Sequence, residues 1–265
     1  MINNFFVGLF TLMINGELTI IMEKYYYILL NIATFSVPFF FSFEKKWMHF
    51  ARFWKPYFLA IISVGLFFII WDVFFAYSDI WGFNDQYLLG FRILKLPVEE
   101  WLFFLLIPYS SNFIHYSLEY FFPRLQLSKI ATQIISIALL IISLGVVLGN
   151  YDRLYTLCSF GLFALLMLAQ IIYQWKYARR FYLSFILIYL PFYFVNGALT
   201  GSYSANPVVY YDNAEILGIR VGTMPLEDSF YCFSMLYSSV LLFEFLKKKM
   251  NLDQPIRLSH GHKNN

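Results

Sequence analysis

One eleven-residue pattern occurs twice in this chain, and each copy leads into a long apolar stretch. The first reads Gly90-Phe91-Arg92-Ile93-Leu94-Lys95-Leu96-Pro97-Val98-Glu99-Glu100, and the second Gly218-Ile219-Arg220-Val221-Gly222-Thr223-Met224-Pro225-Leu226-Glu227-Asp228. Gly, Arg, Pro and the first Glu recur at the same offsets. Tyr-Ser-Ser then follows each Pro at the same distance, as Tyr109-Ser110-Ser111 and Tyr237-Ser238-Ser239. A repeat with fixed internal spacing requires both halves of the fold to be built alike. Each copy also puts two adjacent carboxylates at the mouth of an apolar helix, where lipid makes them costly.

Of the 265 residues, 60% are hydrophobic and only 13% charged. A soluble domain carries roughly 25% charged residues, so this chain lacks the polar surface to dissolve. It reads as an all-α membrane protein. No interleaved basic patch suits nucleic acid. No glycine-rich phosphate loop, GxSxG or dinucleotide fingerprint occurs. Cys158 and Cys232 both lie in apolar runs and read as small buried hydrophobes rather than a disulfide.

A spanning helix needs about 20 mostly apolar residues. Seven stretches meet or approach that length: Tyr25–Phe43, Tyr57–Ala76, Glu99–Phe121, Ile130–Gly149, Leu154–Tyr173, Tyr182–Thr200 and Glu227–Leu246. Of the 19 Lys and Arg, fourteen fall on one side of these helices. Only Lys24, Arg92, Lys95, Arg153 and Arg220 fall on the other. Positive charge marks the cytoplasmic side, which predicts a multi-pass cell-membrane protein with its N-terminus outside and its C-terminus cytoplasmic. The repeat divides the chain into a first unit of three helices (25–121), a linking helix (122–153) and a second unit of three helices (154–249). The two units run parallel, about a pseudo-two-fold axis along the membrane normal. Residues 1–24 read as an N-terminal extension, with Met22 as an alternative start, and 250–265 as a polar cytoplasmic tail.

Most acids near the membrane fall at one level. Glu99 and Glu100 open the third helix, Glu227 and Asp228 the seventh, and Asp72 sits about one turn from the end of the second. Asn196 is the nearest counterpart of Asp72 in the second unit. Taken alone, Pro followed by acids is an ordinary helix start, since Pro lacks only an orphaned N–H and acids complement the helix dipole. The duplication and the intramembrane Asp72 argue for chemistry instead. Arg92 and Arg220 fit either pairing with these acids or a solvated loop. His115 and Glu119 stand four apart on one face and read as a hydrogen-bonded pair, since a metal needs three or four ligands. Glu244, close to Lys247–Lys249, is expected to snorkel to the cytoplasmic interface. Trp81 and Trp101 suit an interfacial belt.

Trp81-Gly82-Phe83-Asn84, followed by Gly90 and Leu96-Pro97-Val98-Glu99-Glu100-Trp101-Leu102-Phe103-Phe104, resembles the lycopene cyclase domain family, the integral-membrane carotenoid cyclases of the two-subunit or fused type. The resemblance covers nearly all of Met22–Lys249. The second copy departs from the family mark, with Pro-Leu-Glu-Asp and no preceding Trp-Gly-Phe-Asn. The resemblance implies a lycopene β-cyclase of carotenoid biosynthesis, an intramolecular lyase or isomerase making γ- or β-carotene. An acid protonates the terminal double bond, a neighbouring double bond attacks the cation, a six-membered ring closes, and a base removes a proton. No redox change occurs, so no cofactor and no metal are expected. Glu99, Glu100, Glu227 and Asp228, with Asp72 added, form the expected acid/base set, since burial and like charges can keep one carboxyl protonated. Phe103, Phe104 and Tyr231, one turn below the acids, would face the cation, and Asn196 would line the substrate site. The expected partners are lycopene drawn from the bilayer, membrane lipid and other carotenoid-pathway enzymes. A cyclase for a longer or differently desaturated carotenoid fits the same residues, and a small membrane transporter fits the same helix pattern. A prenyltransferase would need two Asp-rich motifs, whereas only Asp72 and Asp79 stand suitably close.

Overall fold

A computed structural model describes residues 23–252. The expectations for the N-terminal extension, for Met22 as a start and for most of the polar tail fall on residues outside that range. Seven helices appear among the described residues: α1 (Tyr26–Phe41), α2 (Trp54–Tyr77), α3 (Val98–Phe121), α4 (Lys129–Gly149), α5 (Leu154–Tyr173), α6 (Ala178–Leu199) and α7 (Leu226–Lys249). They match the seven expected stretches. A 3₁₀ turn at Phe50–Phe53 extends α2 into the apolar span Phe50–Tyr77. That span, α4, α5, α6 and α7 are long and apolar enough to cross a bilayer. At 16 residues, α1 reaches about 24 Å.

The two helices that bury the most polar side chains, α3 and α7, are shielded by the others. α3 buries Glu99, Glu100, Ser110, Ser111, Asn112 and His115. It packs on α1 and α2 of its own unit and on α6 and α7 of the other. α7 holds the equivalent place, packing on α5 and α6 and crossing to α2 and α3. The main helix packings of α3 thus have counterparts at α7, as a pseudo-two-fold requires. α4 stands apart and packs mainly along α5. Gly65 of α2 permits the close approach to α3: a Cβ there would lie 3.2 Å from the Phe104 carbonyl oxygen.

The axis is visible in the backbone between the helices. β1 (Trp81–Phe83) pairs antiparallel with β4 (Val209–Tyr211), matching Gly82 to Tyr210 at the centre. On either side, Asn84 N–H donates to the Val208 carbonyl and Asp212 N–H to the Ile80 carbonyl, both at 2.8 Å. The repeated motif itself is a hairpin followed by a helix start. β2 (Arg92–Ile93) pairs with β3 (Leu96–Pro97), and β5 (Arg220–Val221) with β6 (Met224–Pro225). Gly90 (φ +91°) and Gly218 (φ +77°) start the two hairpins in a backbone region open to glycine. The arginines close them: Arg92 donates to the Lys95 carbonyl at 2.8 Å, and Arg220 to the Thr223 carbonyl at 2.7 Å. Neither arginine pairs with the acids that open α3 and α7. Arg92 reaches Asp85 at 2.6 Å and Arg220 reaches Asn213 at 3.3 Å. Pro97 and Pro225 cap the helices from extended conformations. The first hairpin turn puts Leu94 at φ 51°, where the second unit has Gly222 at φ 66°.

The remaining sequence expectations resolve differently. His115 and Glu119 do not pair with each other. His115 Nδ1 lies 2.7 Å from Ser184 Oγ, and Glu119 lies 3.4 Å from the Arg180 guanidinium. Both partners are on α6, so this face of α3 ties the two units together. Glu244 is buried and bonded to Lys247 at 2.7 Å rather than reaching for the interface. Trp81 is buried against the core and not in a surface belt, while Trp101 is half-buried and donates to the Ile93 carbonyl.

A left-handed backbone costs an L-residue roughly 1–2 kcal/mol. Leu94 is 56% exposed, so little burial is available to offset the strain. Leu94→Gly is therefore expected to raise the thermal unfolding midpoint in detergent by a few degrees, and Gly90→Val to lower it. A midpoint that falls for Leu94→Gly would contradict the assignment of strain to this turn.

Candidate functional site

Each unit contributes two adjacent acids, and helix geometry sends them in different directions. Glu99 and Glu227 turn back to the loop that precedes their helix. Leu89 N–H donates to Glu99 Oε1 and Leu217 N–H to Glu227 Oε1, both at 2.6 Å. Thr156 adds a hydrogen bond to Glu227 Oε1 at 2.6 Å, and Asn31 donates to the Glu99 backbone carbonyl at 2.9 Å. These two glutamates clamp the hairpin onto the first helical turn, and both are fully buried. The fixed distance from Gly to the first Glu in the repeated motif follows from that clamp.

The second acid of each pair faces the axis. Glu100 and Asp228 line one cavity together with Asp72 of α2, and all three are buried. The cavity holds about 50 Å³. Of the residues singled out from sequence, the structure brings Glu100, Asp228, Asp72, Phe103, Phe104, Tyr231 and Asn196 to this wall. Glu99 and Glu227 stay outside it.

Tyrosines hold the three acids. Tyr27 of α1 donates to Glu100 Oε2 at 2.6 Å, and its counterpart Tyr155 of α5 donates to Asp228 Oδ1 at 2.5 Å. Tyr231 of α7 crosses to α2 and donates to Asp72 Oδ1 at 2.6 Å. Asp228 collects two more donors on Oδ2, Asn196 Nδ2 at 2.6 Å and the Tyr211 hydroxyl at 2.9 Å. Burial, with the Asp228 carboxylate next to it, pushes the Tyr211 phenol well above its usual range, so it serves as a donor. The symmetry is therefore broken at the acids. Asp228 accepts three side-chain hydrogen bonds, while Glu100 and Asp72 each accept one.

Sequence reading missed Tyr27, Tyr155 and Tyr211. Their positions carry a signal in hindsight. Tyr27 and Tyr155 each stand 73 residues before their acid, so the repeat extends upstream into α1 and α5. Tyr211 gave no such signal, because Phe83 occupies the corresponding place on β1. The rest of the wall is aromatic. Trp81 meets Tyr155 edge to face with centroids 5.2 Å apart, Tyr155 stacks on Tyr211 at 5.7 Å, and Phe104 meets Tyr231 at 6.4 Å. Aromatic faces attract a cation by about 0.5–2 kcal/mol, most where water is excluded. Among the described residues no cluster of His, Cys, Asp and Glu has the makings of a metal site. What this arrangement can do is exchange a proton with a guest that offers no polar handle, and shield the charge that results.

Removing a donor isolates the effect of this network. Tyr27→Phe leaves Glu100 buried without its hydrogen bond and is expected to lower stability by about 1–3 kcal/mol, read from denaturation in detergent. Tyr87→Phe, a similarly buried tyrosine away from the acids, should cost less. Equal costs for the two would mean that the Tyr27 hydroxyl does not support Glu100.

The family model for lycopene cyclase matches residues 24–118 and 152–246. The two matched segments are the two three-helix units, with α4 in the unmatched stretch between them. No curated protein and no solved structure matches the chain. The match covers well over half of the sequence, falls twice on the duplicated motif, and agrees with helices that enclose buried acids within an apolar bundle: the chain belongs to the lycopene cyclase family, the membrane enzymes that close carotenoid rings.

Proposed function

We propose that this protein is a lycopene β-cyclase, an intramolecular lyase that converts the linear end groups of lycopene to rings by way of γ-carotene to β-carotene. The observation that carries the reading is the single buried cavity in which three carboxyl groups from both units meet an aromatic wall. The reaction begins when a carboxylic acid donates its proton to the terminal double bond, leaving a tertiary cation. The neighbouring double bond attacks it, the six-membered ring closes, and the charge moves to a ring carbon. A carboxylate then takes a proton from the adjacent carbon and a double bond forms. One proton enters and one leaves, so atoms and electrons balance without a cofactor.

The hydrogen bonds suggest a division of labour. Asp228 is surrounded by donors and is suited to accept the proton at the end of the reaction. Glu100 and Asp72, each with one donor, are suited to hold the proton that starts it. Tyr27, Tyr155, Tyr211 and Tyr231 orient these groups, while Phe103, Phe104 and Trp81 face the developing cation. Glu99 and Glu227 act by fixing the first turn of α3 and α7. The excess of basic residues at the opposite helix ends supports an orientation with this cavity in the outer half of the bilayer and the C-terminus cytoplasmic.

Expression in bacteria that accumulate lycopene, followed by chromatography of the pigments, tests this directly. A bicyclic product is expected. A monocyclic product would keep the chemistry and restrict it to one end. Unchanged lycopene from folded protein would overturn the reading and favour a different carotenoid. Glu100→Gln and Asp228→Asn are each expected to lower conversion by at least about 100-fold, the scale of general acid–base catalysis. Glu99→Gln and Glu227→Gln should instead lower thermal stability while the folded fraction still converts substrate. Loss of conversion with unchanged stability in those two variants would show that all four first-turn acids take part in the chemistry.

A further inference from the structure

A cavity of about 50 Å³ has room for one or two water molecules, each of which takes about 30 Å³ in the liquid. A ring-forming hydrocarbon end does not fit until the cavity widens, and the rest of so long a substrate must lie outside it. One feature of the bundle answers both needs. A groove of about 230 Å³ runs between α1, α3 and α6. Phe192 lines this groove on one side and the carboxylate cavity on the other. Along α3 the cavity residues Phe103 and Phe104 continue into the groove residues Ile107, Ser110, Ser111 and Ile114 at helical spacing. This stripe is about 16 Å long at 1.5 Å per residue. The mouth opens to lipid between Val37, 61% exposed, and Pro191.

The three helices around this groove are also the three with an interior proline: Pro38 in α1, Pro108 in α3 and Pro191 in α6. A proline inside a helix removes one hydrogen bond of the ladder and is where helices bend. The pseudo-symmetric positions in α5, α7 and α2 are Leu166, Leu236 and Phe67, none of them a proline. With α2 and α6 aligned from their first residues, Trp54 and Ala178, Trp71 stands where the open groove has Val195, and its ring packs against Phe67 and Phe68 of α2 and Tyr231 of α7. A larger apolar groove of about 480 Å³ lies between α4, α6 and α7, but it shares no wall residue with the carboxylate cavity.

We propose that the groove between α1, α3 and α6 is the seat of the substrate's polyene chain, entered sideways from the bilayer, with Phe192 as the partition that yields to admit the end group. The seat is one-sided, so the two ends of a symmetrical substrate reach the acids one after the other through the same opening. The inference rests on the cyclase reading and extends it to where the unreacted part of the substrate lies.

The test measures binding apart from turnover. Asp228→Asn, introduced to halt the reaction, is purified in detergent and titrated with lycopene, and the circular dichroism induced in the visible band of the bound polyene is recorded. Adding Val195→Trp, which copies Trp71 of the other unit, is expected to weaken binding at least ten-fold. Val37→Trp, at an exposed rim position, should act in the same direction and covers the case in which Val195→Trp fails to fold. Ile186→Trp, which adds the same bulk to the larger groove, should leave the signal unchanged. Undiminished binding in folded Val195→Trp or Val37→Trp, or loss of binding in Ile186→Trp, overturns the proposal. No induced signal from the Asp228→Asn protein, together with no product from the unsubstituted one, would instead overturn the cyclase reading, and the groove assignment with it.

Discussion

Everything in this structure accommodates three carboxyl groups buried in an apolar bundle. Moving such a group out of water costs several kcal/mol, and the chain meets that cost with hydroxyl donors from neighbouring helices. Tyr27 serves Glu100, Tyr155 serves Asp228, and Tyr231 serves Asp72. Two of these bonds join helices within a unit, and the third joins the units across the axis. The same bonds that make the acids tolerable therefore fix α1 to α3, α5 to α7 and α2 to α7. Under the proposed function, stability and chemistry would depend on one network, and substitutions in it would act on both.

The duplicated motif separates into scaffold and chemistry. Gly, Arg, Pro and the first Glu do the same structural work in both copies: a turn, a hairpin tie, a helix cap and a clamp onto the preceding loop. These four positions are identical in the two motifs. The next position differs, Glu100 against Asp228, and so does the environment of each. Asn196 faces Asp228 from the place in α6 that matches Asp72 in α2, and Tyr211 matches Phe83. A two-fold scaffold thus presents an unsymmetrical set of acids. Proton donation and proton abstraction demand opposite properties of a carboxyl group, and under the proposed function an unsymmetrical pair would meet that demand where identical halves would not.

Asymmetry extends to the lipid-facing side. Interior prolines fall only in α1, α3 and α6 among the described helices, and the groove they border has Val195 where the other unit has Trp71. Among the described residues α4 has no counterpart, and it covers α5 of the second unit. One flank of the bundle is thereby closed and the other left adjustable.

The sequence by itself determined the membrane class, the seven helices and the parallel repeat, because hydropathy and spacing are local properties that survive without tertiary contacts. It also determined the level of the acids and their aromatic neighbours one turn below, since helical periodicity places i and i+4 on one face. Which acid of each pair faces the axis was decided only by the tertiary structure. Glu99 and Glu100 are adjacent and chemically alike, and their roles diverge because one meets the Leu89 N–H and the other meets Tyr27. The pairing of His115 with Ser184 in place of Glu119, and of Arg92 with Asp85 in place of the helix acids, has the same origin. Partners for a buried polar group come from whichever helix packs against it, and that is a property of the assembled bundle.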